Sequence, residues 1–451
     1  MSVLREKIFE REGKGILKPQ NTKLEHIEIP VTFTCAQYRD GDIDGTITVM
    51  DDDHAPYMDL FHTHEAAKFR LCANLDGEEL TIERLSIQTD ERVEYRDIAF
   101  IADYLKLKHR EITAATNRIF CRFDVSNLKT VRTTFEIEEG KVTFFQYGGD
   151  IWKAIEIYKK SGITGVVKIE LNDDVRLQTI DAYKSLVFNK ISKILRLASL
   201  SQGTYIDWAS FVLCAQNSES EYERIYTERK NIRTEFSARH ELTPYGDLSN
   251  YFKKTYPNYT DTLNSELGFY PAVEWYCESL NRSLLESKYL GLFTVLETII
   301  YRFAITQKPP RVFILADADF KRFKEELKKP VKEALRALSK DTENRKALYL
   351  NLPCLNRYSF KDNLILFLGY YKIGYSDIIA DLGDLITVRD NITHKGISER
   401  EFDALIDAYD KLMAFVHRIF LALLNYDANS KYRNWINKHL EIFKKDPNSD
   451  W

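Results

Sequence analysis

Apolar and polar residues alternate along much of the first third of the chain, and a period of two predicts strands. Residues 26–34 (HIEIPVTFT), 45–49, 69–73, 79–86, 116–125 and 131–145 all fit half-buried strands rich in branched and aromatic side chains. The last of these contains Glu138-Glu139-Gly140-Lys141, a hairpin connection between FEI and VTFF. A short helix over 151–159, a strand over 163–171, a long helix opening at Asp173-Asp174 and a buried strand over 205–214 follow. An antiparallel sheet or sandwich with added helices is the expected architecture of this half.

Past residue 248 the period lengthens to that of helices. Residues 263–281 and 284–303 form two such segments, and 320–340 a basic helix broken or kinked at Pro330. Residues 399–424 carry a broad stripe of Phe402, Leu405, Ile406, Tyr409, Leu412, Phe415, Val416 and Phe420, and His417 within it reads as a packing or surface residue. A last helix covers 432–443. A highly charged run over 216–241 separates the two characters, and the boundary is expected near residue 240. The fold class is therefore multidomain α+β, with a β-rich domain over 1–240 and an all-α bundle over 241–451. At 451 residues the chain exceeds what one core usually organises.

Composition narrows the chemistry. A formal charge of −4 shows no strong overall bias, which leaves nucleic acid open because a local basic face matters more than the total. No stretch approaches eighteen uncharged apolar residues and the first residues lack a signal-peptide core, so a cytoplasmic protein without a membrane span is expected. The six cysteines are scattered without a C-x-x-C pair, as in a chain with reduced thiols. No Walker sequence or glycine-rich dinucleotide loop occurs, and no cofactor is expected. Asp51-Asp52-Asp53-His54 reads as a turn rather than a metal site, and His62 with His64 make half a site at most, so no metal is expected.

The chemistry-bearing stretch is residues 384–396, DLITVRDNITHKG. Apolar Leu385, Ile386 and Val388 give way to Arg389, Asp390, Asn391, Thr393, His394 and Lys395, and Gly396 supplies a helix stop. Arginine offers a permanent charge and a planar fork of donors that fits phosphate. Histidine changes protonation near neutral pH and can move a proton. Two readings stand side by side. The pair acts on a phosphodiester, or Arg389 merely pairs with Asp384 or Asp390 while His394 favours the helix C-terminus through the dipole. Glu297 lies in an apolar run, where a carboxylate is costly unless paired, and Arg302 or Arg389 is its candidate partner. On the basic segment, Lys321, Arg322, Lys324, Lys328, Lys329, Lys332 and Arg336 form either a solvated face or a surface that attracts a nucleic-acid backbone.

Taken together, the helix bearing Glu297, the R-x4-H element Arg389 to His394 with its Lys-Gly, and the long helix after it resemble the HEPN superfamily. The likeness is to the ApeA-like group of bacterial anti-phage proteins, over about residues 260 to 445. Asp390 departs from the asparagine often found after the arginine, and Asn391 is a further polar candidate in the same turn. The resemblance implies an endoribonuclease that needs no metal and works as a homodimer. His394 would serve as general base or acid, Arg389 would bind the scissile phosphate, and Asp390, Asn391 and Glu297 would orient them. Attack by the ribose 2′-hydroxyl would leave a 2′,3′-cyclic phosphate and a 5′-hydroxyl. The implied biology is abortive infection, with RNA (tRNA, at its anticodon loop) cut after a phage-derived trigger and the N-terminal domain acting as regulator or sensor. Lys395 and the basic helix would contact the RNA backbone. The competing expectation is a non-catalytic HEPN-like dimerisation or interaction protein with a β-rich ligand-binding domain.

Overall fold

A computed structural model describes residues 7–20, 27–38, 42–50, 68–88, 98–112, 118–128, 132–146, 163–216, 222–232, 248–338, 355–398 and 400–426. The Asp51–His54 run, His62, His64 and the helices expected over 151–159 and 432–443 fall outside these residues. The chain divides into two compact units, Met1–Tyr256 and Pro257–Trp451.

The first unit is built on one antiparallel sheet of twelve strands. Strands β1 (Lys7–Pro19), β2 (Ile29–Tyr38), β3 (Ile43–Val49), β4 (Phe69–Leu75), β5 (Glu78–Gln88) and β6 (Ile98–Lys108) run in the order β3-β2-β1-β4-β5-β6. β3 then pairs back onto β6, with Asp44 opposite Ile101 and Ile47 opposite Ile98, and closes these six strands into a barrel. Alternation does the sorting along β2: Ile29, Val31, Phe33 and Cys35 fill the interior, while Thr32 and Thr34 face outward. β3 lies so near β2 that a Cβ on Gly45 would be 2.0 Å from the Thr34 carbonyl oxygen, and the ring of Phe100 on β6 would be 2.8 Å from it on the closing side. β4 and β5 join through Asp76-Gly77, both at positive φ as a tight two-residue hairpin demands.

From β6 the sheet continues through β12 (Tyr222–Lys230), β11 (Trp208–Gln216), β7 (Arg118–Ser126), β10 (Ile163–Leu171), β9 (Gly140–Gln146) and β8 (Thr133–Ile137). The β8–β9 connection is the Glu138-Glu139 turn expected from sequence. Helix α1 (Ile180–Gln202) packs on this part through Phe188, whose ring lies 5.0 to 5.7 Å from Phe123, Trp208 and Phe211. It starts later than Asp173-Asp174, which sit in a turn; Thr179 is the cap, accepting a bond from the Ala182 amide at 3.1 Å. Helix α2 (Leu248–Thr255) belongs to this unit because Phe252 stacks on Phe135 and Phe144 at 4.7 and 5.0 Å. Strand β12, inside the charged run, stands in the sheet because its charges are paired. Glu228 meets Lys184 at 2.6 Å and Arg229 donates to the Gln37 amide oxygen at 2.6 Å.

The second unit is helical. Its described helices are α3 (Asp261–Leu267), α4 (Phe269–Asn281), α5 (Leu285–Thr306), α6 (Asp317–Leu338), α7 (Phe360–Tyr370), α8 (Leu382–Lys395) and α9 (Phe402–Leu423). The segment expected as one helix over 263–281 is two, because Gly268 takes a left-handed conformation (φ 62°) that ends α3 and opens α4. α6 runs through Pro330 as one helix, with most of its residues exposed.

α5 is the centre of this core. It buries Leu292, Phe293, Val295, Leu296, Ile299, Ile300 and Phe303 and is packed by α3, α4, α7, α8 and α9. Among the described residues it is the one helix long and apolar enough to cross a bilayer by length and composition, but more than half of that stretch is buried in the core, and Glu297 and Arg302 interrupt it, so no run of eighteen uncharged apolar residues occurs here. The α9 stripe is buried as expected from Leu405 to Phe420, except that Phe402 is 69 % exposed at the helix start and Ile406 is only half-buried. His417 is a core residue, its Nε2 at 2.7 Å from the Tyr276 hydroxyl.

Half-buried Asp410 on α9 has its carboxyl pushed up to about 6 by burial, helped by the nearby charge of Asp407. The folded state thus holds a proton more tightly than the unfolded chain, whose carboxyl titrates near 3.8. Stability from this group is present at low pH and is lost as pH rises through about 6. Asp410→Asn is expected to stabilise the protein by about 1 kcal/mol near pH 7 and to flatten the stability gain on acidification. Thermal melts near pH 7 and pH 5 check both effects.

Candidate functional site

Helix α8 carries the R-x4-H element, and both of its ends are fixed by local chemistry. The Asp381 carboxylate accepts from the Gly383 amide at 2.8 Å, and Lys361 holds the same oxygen at 3.2 Å. Gly396 ends the helix in a left-handed turn (φ 78°), its amide bonding the Ile392 carbonyl. Leu382, Leu385, Val388 and Ile392 face the core. Tyr289 of α5 donates its buried hydroxyl to the Leu385 carbonyl at 3.0 Å, and Arg400 pairs with Asp384.

Arg389 is held from three sides. Its Nη2 pairs with the Glu297 carboxylate on α5, its Nη1 donates to Asp390 Oδ1 at 2.8 Å, and its guanidinium carbon lies 5.5 Å above the Phe293 ring. Partial burial opposes the guanidinium charge. The hydrogen bonds and charges of Asp390 and Glu297 outweigh that cost and raise its pKa further above the ordinary arginine value. The group is a fixed cation about one-third exposed, and a guanidinium has five N–H donors, of which these two contacts use two. Glu297 thus selects Arg389 over Arg302, which has no ion-pair partner among the described residues.

His394 stands apart. It is exposed in the last turn of α8, and among the described residues it has no hydrogen-bond partner. Five residues of α-helix carry it about 140° around the axis and about 7.5 Å along it from Arg389. One chain therefore places the two groups on different faces. Asn391 is half-buried and likewise without a partner among the described residues, while Lys395 is exposed beside His394. Of the five residues expected to act together, the structure gathers Arg389, Asp390 and Glu297 and leaves His394 and Asn391 outside that cluster.

The basic set is where its spacing puts it. Lys321, Arg322, Lys324, Lys328, Lys329, Lys332 and Arg336 are all exposed on α6. Lys321, Lys328, Lys332 and Arg336 share a face by helical period. Arg322 pairs with Asp319 at 3.0 Å and Lys328 with Glu325 at 3.4 Å, so the field of this face is partly neutralised within the helix. Among the described residues no group of three or more His, Cys, Asp or Glu converges as a metal would require. Burial pushes the Cys35 thiol up to about 12 and that of Cys214 to about 11, which leaves both poor nucleophiles at neutral pH.

Phe293 is the site residue that the sequence reading passes over. Its signal is the four-residue spacing before Glu297, which puts both on one side of α5. Arg400 and Tyr289 carry no comparable signal.

Because the Arg389–Glu297 pair is partly solvated, it should contribute little to stability. Arg389→Ala and Glu297→Ala are each expected to cost about 1 kcal/mol or less, with a coupling of about 0.5 kcal/mol in a double-mutant cycle read by denaturant unfolding. A cost several times larger would mark the pair as part of the packing. Comparison with protein-family models, with curated proteins and with solved structures finds no match to this chain.

Proposed function

We propose that the protein is an HEPN-type endoribonuclease of the ApeA-like kind, cutting RNA without a metal. The observation that carries this reading is Arg389. It is a cation with donors to spare, oriented by Glu297, Asp390 and Phe293, on a helix whose end presents a solvent-accessible histidine. His394 takes the proton of the ribose 2′-hydroxyl or delivers one to the leaving 5′-oxygen. Arg389 binds the scissile phosphate and offsets the negative charge that grows on it as the 2′-oxygen attacks phosphorus and the P–O5′ bond breaks. The products are a 2′,3′-cyclic phosphate and a 5′-hydroxyl. Since one helix holds the arginine and the histidine on different faces, a homodimer that sets two α8 helices together would complete the cleft. Exposed Ile397, three residues past His394, and exposed Phe402, at the start of α9, suit such a contact. The substrate class is tRNA, cut at the anticodon loop during abortive infection, with α6 and Lys395 contacting the backbone. The β-rich unit would act as the regulator that senses a phage-derived trigger.

A second reading rests on the same exposed residues and on a cleft of about 420 Å³ on the outside of the barrel, lined in part by Lys7, Glu10, Tyr38 and Asp44. In that reading the helical unit dimerises without catalysis and the β-rich unit binds a ligand.

Incubating the purified protein and its His394→Ala variant with total cellular tRNA in EDTA separates the two. The ribonuclease reading expects fragments with 2′,3′-cyclic phosphate ends from the parent and at least about a hundredfold less from the variant. Equal cleavage by both would sink the mechanism. Light scattering at micromolar concentration should give the mass of a dimer, and Phe402→Glu should shift it toward the monomer.

A further inference from the structure

Helix α5 carries a stripe at four-residue spacing: Phe293, Glu297, Tyr301 and Ile305. The stripe climbs out of the core. Phe293 is 2 % exposed beneath the Arg389 guanidinium, Glu297 is partly exposed and holds that guanidinium, and Tyr301 is 60 % exposed. Among the described residues the Tyr301 side chain has no hydrogen bond, ring contact or cation against it, and neither has that of its exposed neighbour Arg302. A large, rigid aromatic face, one turn along α5 from the carboxylate that holds Arg389, is thus left open to solvent.

Two contacts define how α5 lies against α8. Tyr289 meets Leu385 and, eight residues on, Glu297 meets Arg389, so both helices run in the same direction. Tyr301 lies one turn beyond Glu297, about 6 Å along the axis, and His394 lies beyond Arg389 toward the same end. A single strand whose phosphate sits on Arg389 can therefore bring the base of an adjoining nucleotide to the level of Tyr301.

We propose that Tyr301 is the stacking platform for a nucleobase flanking the scissile phosphate, with Arg302 beside it contacting the backbone. This inference rests on the ribonuclease reading and adds a residue that grips an unpaired base. The occupant is an RNA base rather than a protein side chain because the exposed ring has a cation as its chain neighbour, Arg302, and stands one turn of α5 beyond Glu297, which holds a second, Arg389. A polyanion with flat, apolar bases satisfies both features together. Such a platform favours single-stranded loops, whose bases are free to leave their own stack, over duplex.

The test is equilibrium binding of the full chain, carrying His394→Ala, to a short fluorescent single-stranded oligoribonucleotide whose 2′-hydroxyls are methylated. A matching strand without bases serves as the second ligand. Tyr301→Ala is expected to weaken binding of the base-bearing strand by roughly 5- to 150-fold, the loss of one stacked base. Tyr301→Phe should stay near the parent affinity, and the abasic strand should not distinguish the three proteins. Arg389→Ala should weaken both ligands alike. Parent-like binding by Tyr301→Ala while Arg389→Ala still fails would overturn the platform and leave the ribonuclease reading intact. No effect of Arg389→Ala, or no binding by the parent, overturns both. A change of oligomeric mass in Tyr301→Ala would assign the residue to a protein interface and overturn the inference as well.

Discussion

A carboxylate in the apolar middle of α5 sets the terms for the helical unit. α5 has to bury most of its circumference, and Glu297 is tolerable in it only because its side chain reaches a solvated margin and a permanent cation. That requirement draws α8 alongside α5 and brings Arg389 to a defined place. Tyr289 repeats the attachment two turns earlier with a buried hydroxyl on the Leu385 carbonyl, so α8 is anchored twice and cannot slide by a turn without losing both. The placement of the arginine is thus a consequence of packing and desolvation before it is one of chemistry.

In the proposed ribonuclease, the same clamp limits what a single chain offers a substrate. The helical rotation between Arg389 and His394 follows from α-helical geometry alone, and no side-chain rotation on α8 cancels a separation of about 140°. A phosphate on Arg389 must also compete with two carboxylates already bonded to it. The arginine is therefore oriented and partly neutralised at once. Anion binding would draw on the donors that Glu297 and Asp390 leave unused.

Much of this architecture is legible in the sequence where one face of an element is simply apolar. β2, the β8–β9 hairpin, most of the α9 stripe and the Gly396 stop follow from period and from glycine's freedom. Strand β12 is not legible that way. Its nine residues YERIYTERK read as solvated, and five of them, Ile225 to Arg229, are buried, with Lys184 and Gln37, remote in sequence, satisfying Glu228 and Arg229. The partner of Glu297 shows the same limit: Arg302 and Arg389 are equal candidates in the sequence, and contact across 92 residues decides between them. Phe402 joins the α9 stripe by period and yet faces outward, since it precedes the turn at which α9 meets the core.

Barrel closure has a consequence for how the β-rich unit meets other chains. A sheet of twelve strands would ordinarily present two rows of unbonded backbone groups. Here β3 folds back onto β6, and among the described residues the open margin that remains is β8, five residues long. One of its carbonyls, that of Thr134, already accepts the Ser249 hydroxyl from α2 at 2.7 Å. A wide sheet is thus left with a very short template for strand addition, and partly plugged at that, so self-association by cross-strand growth has little to start from.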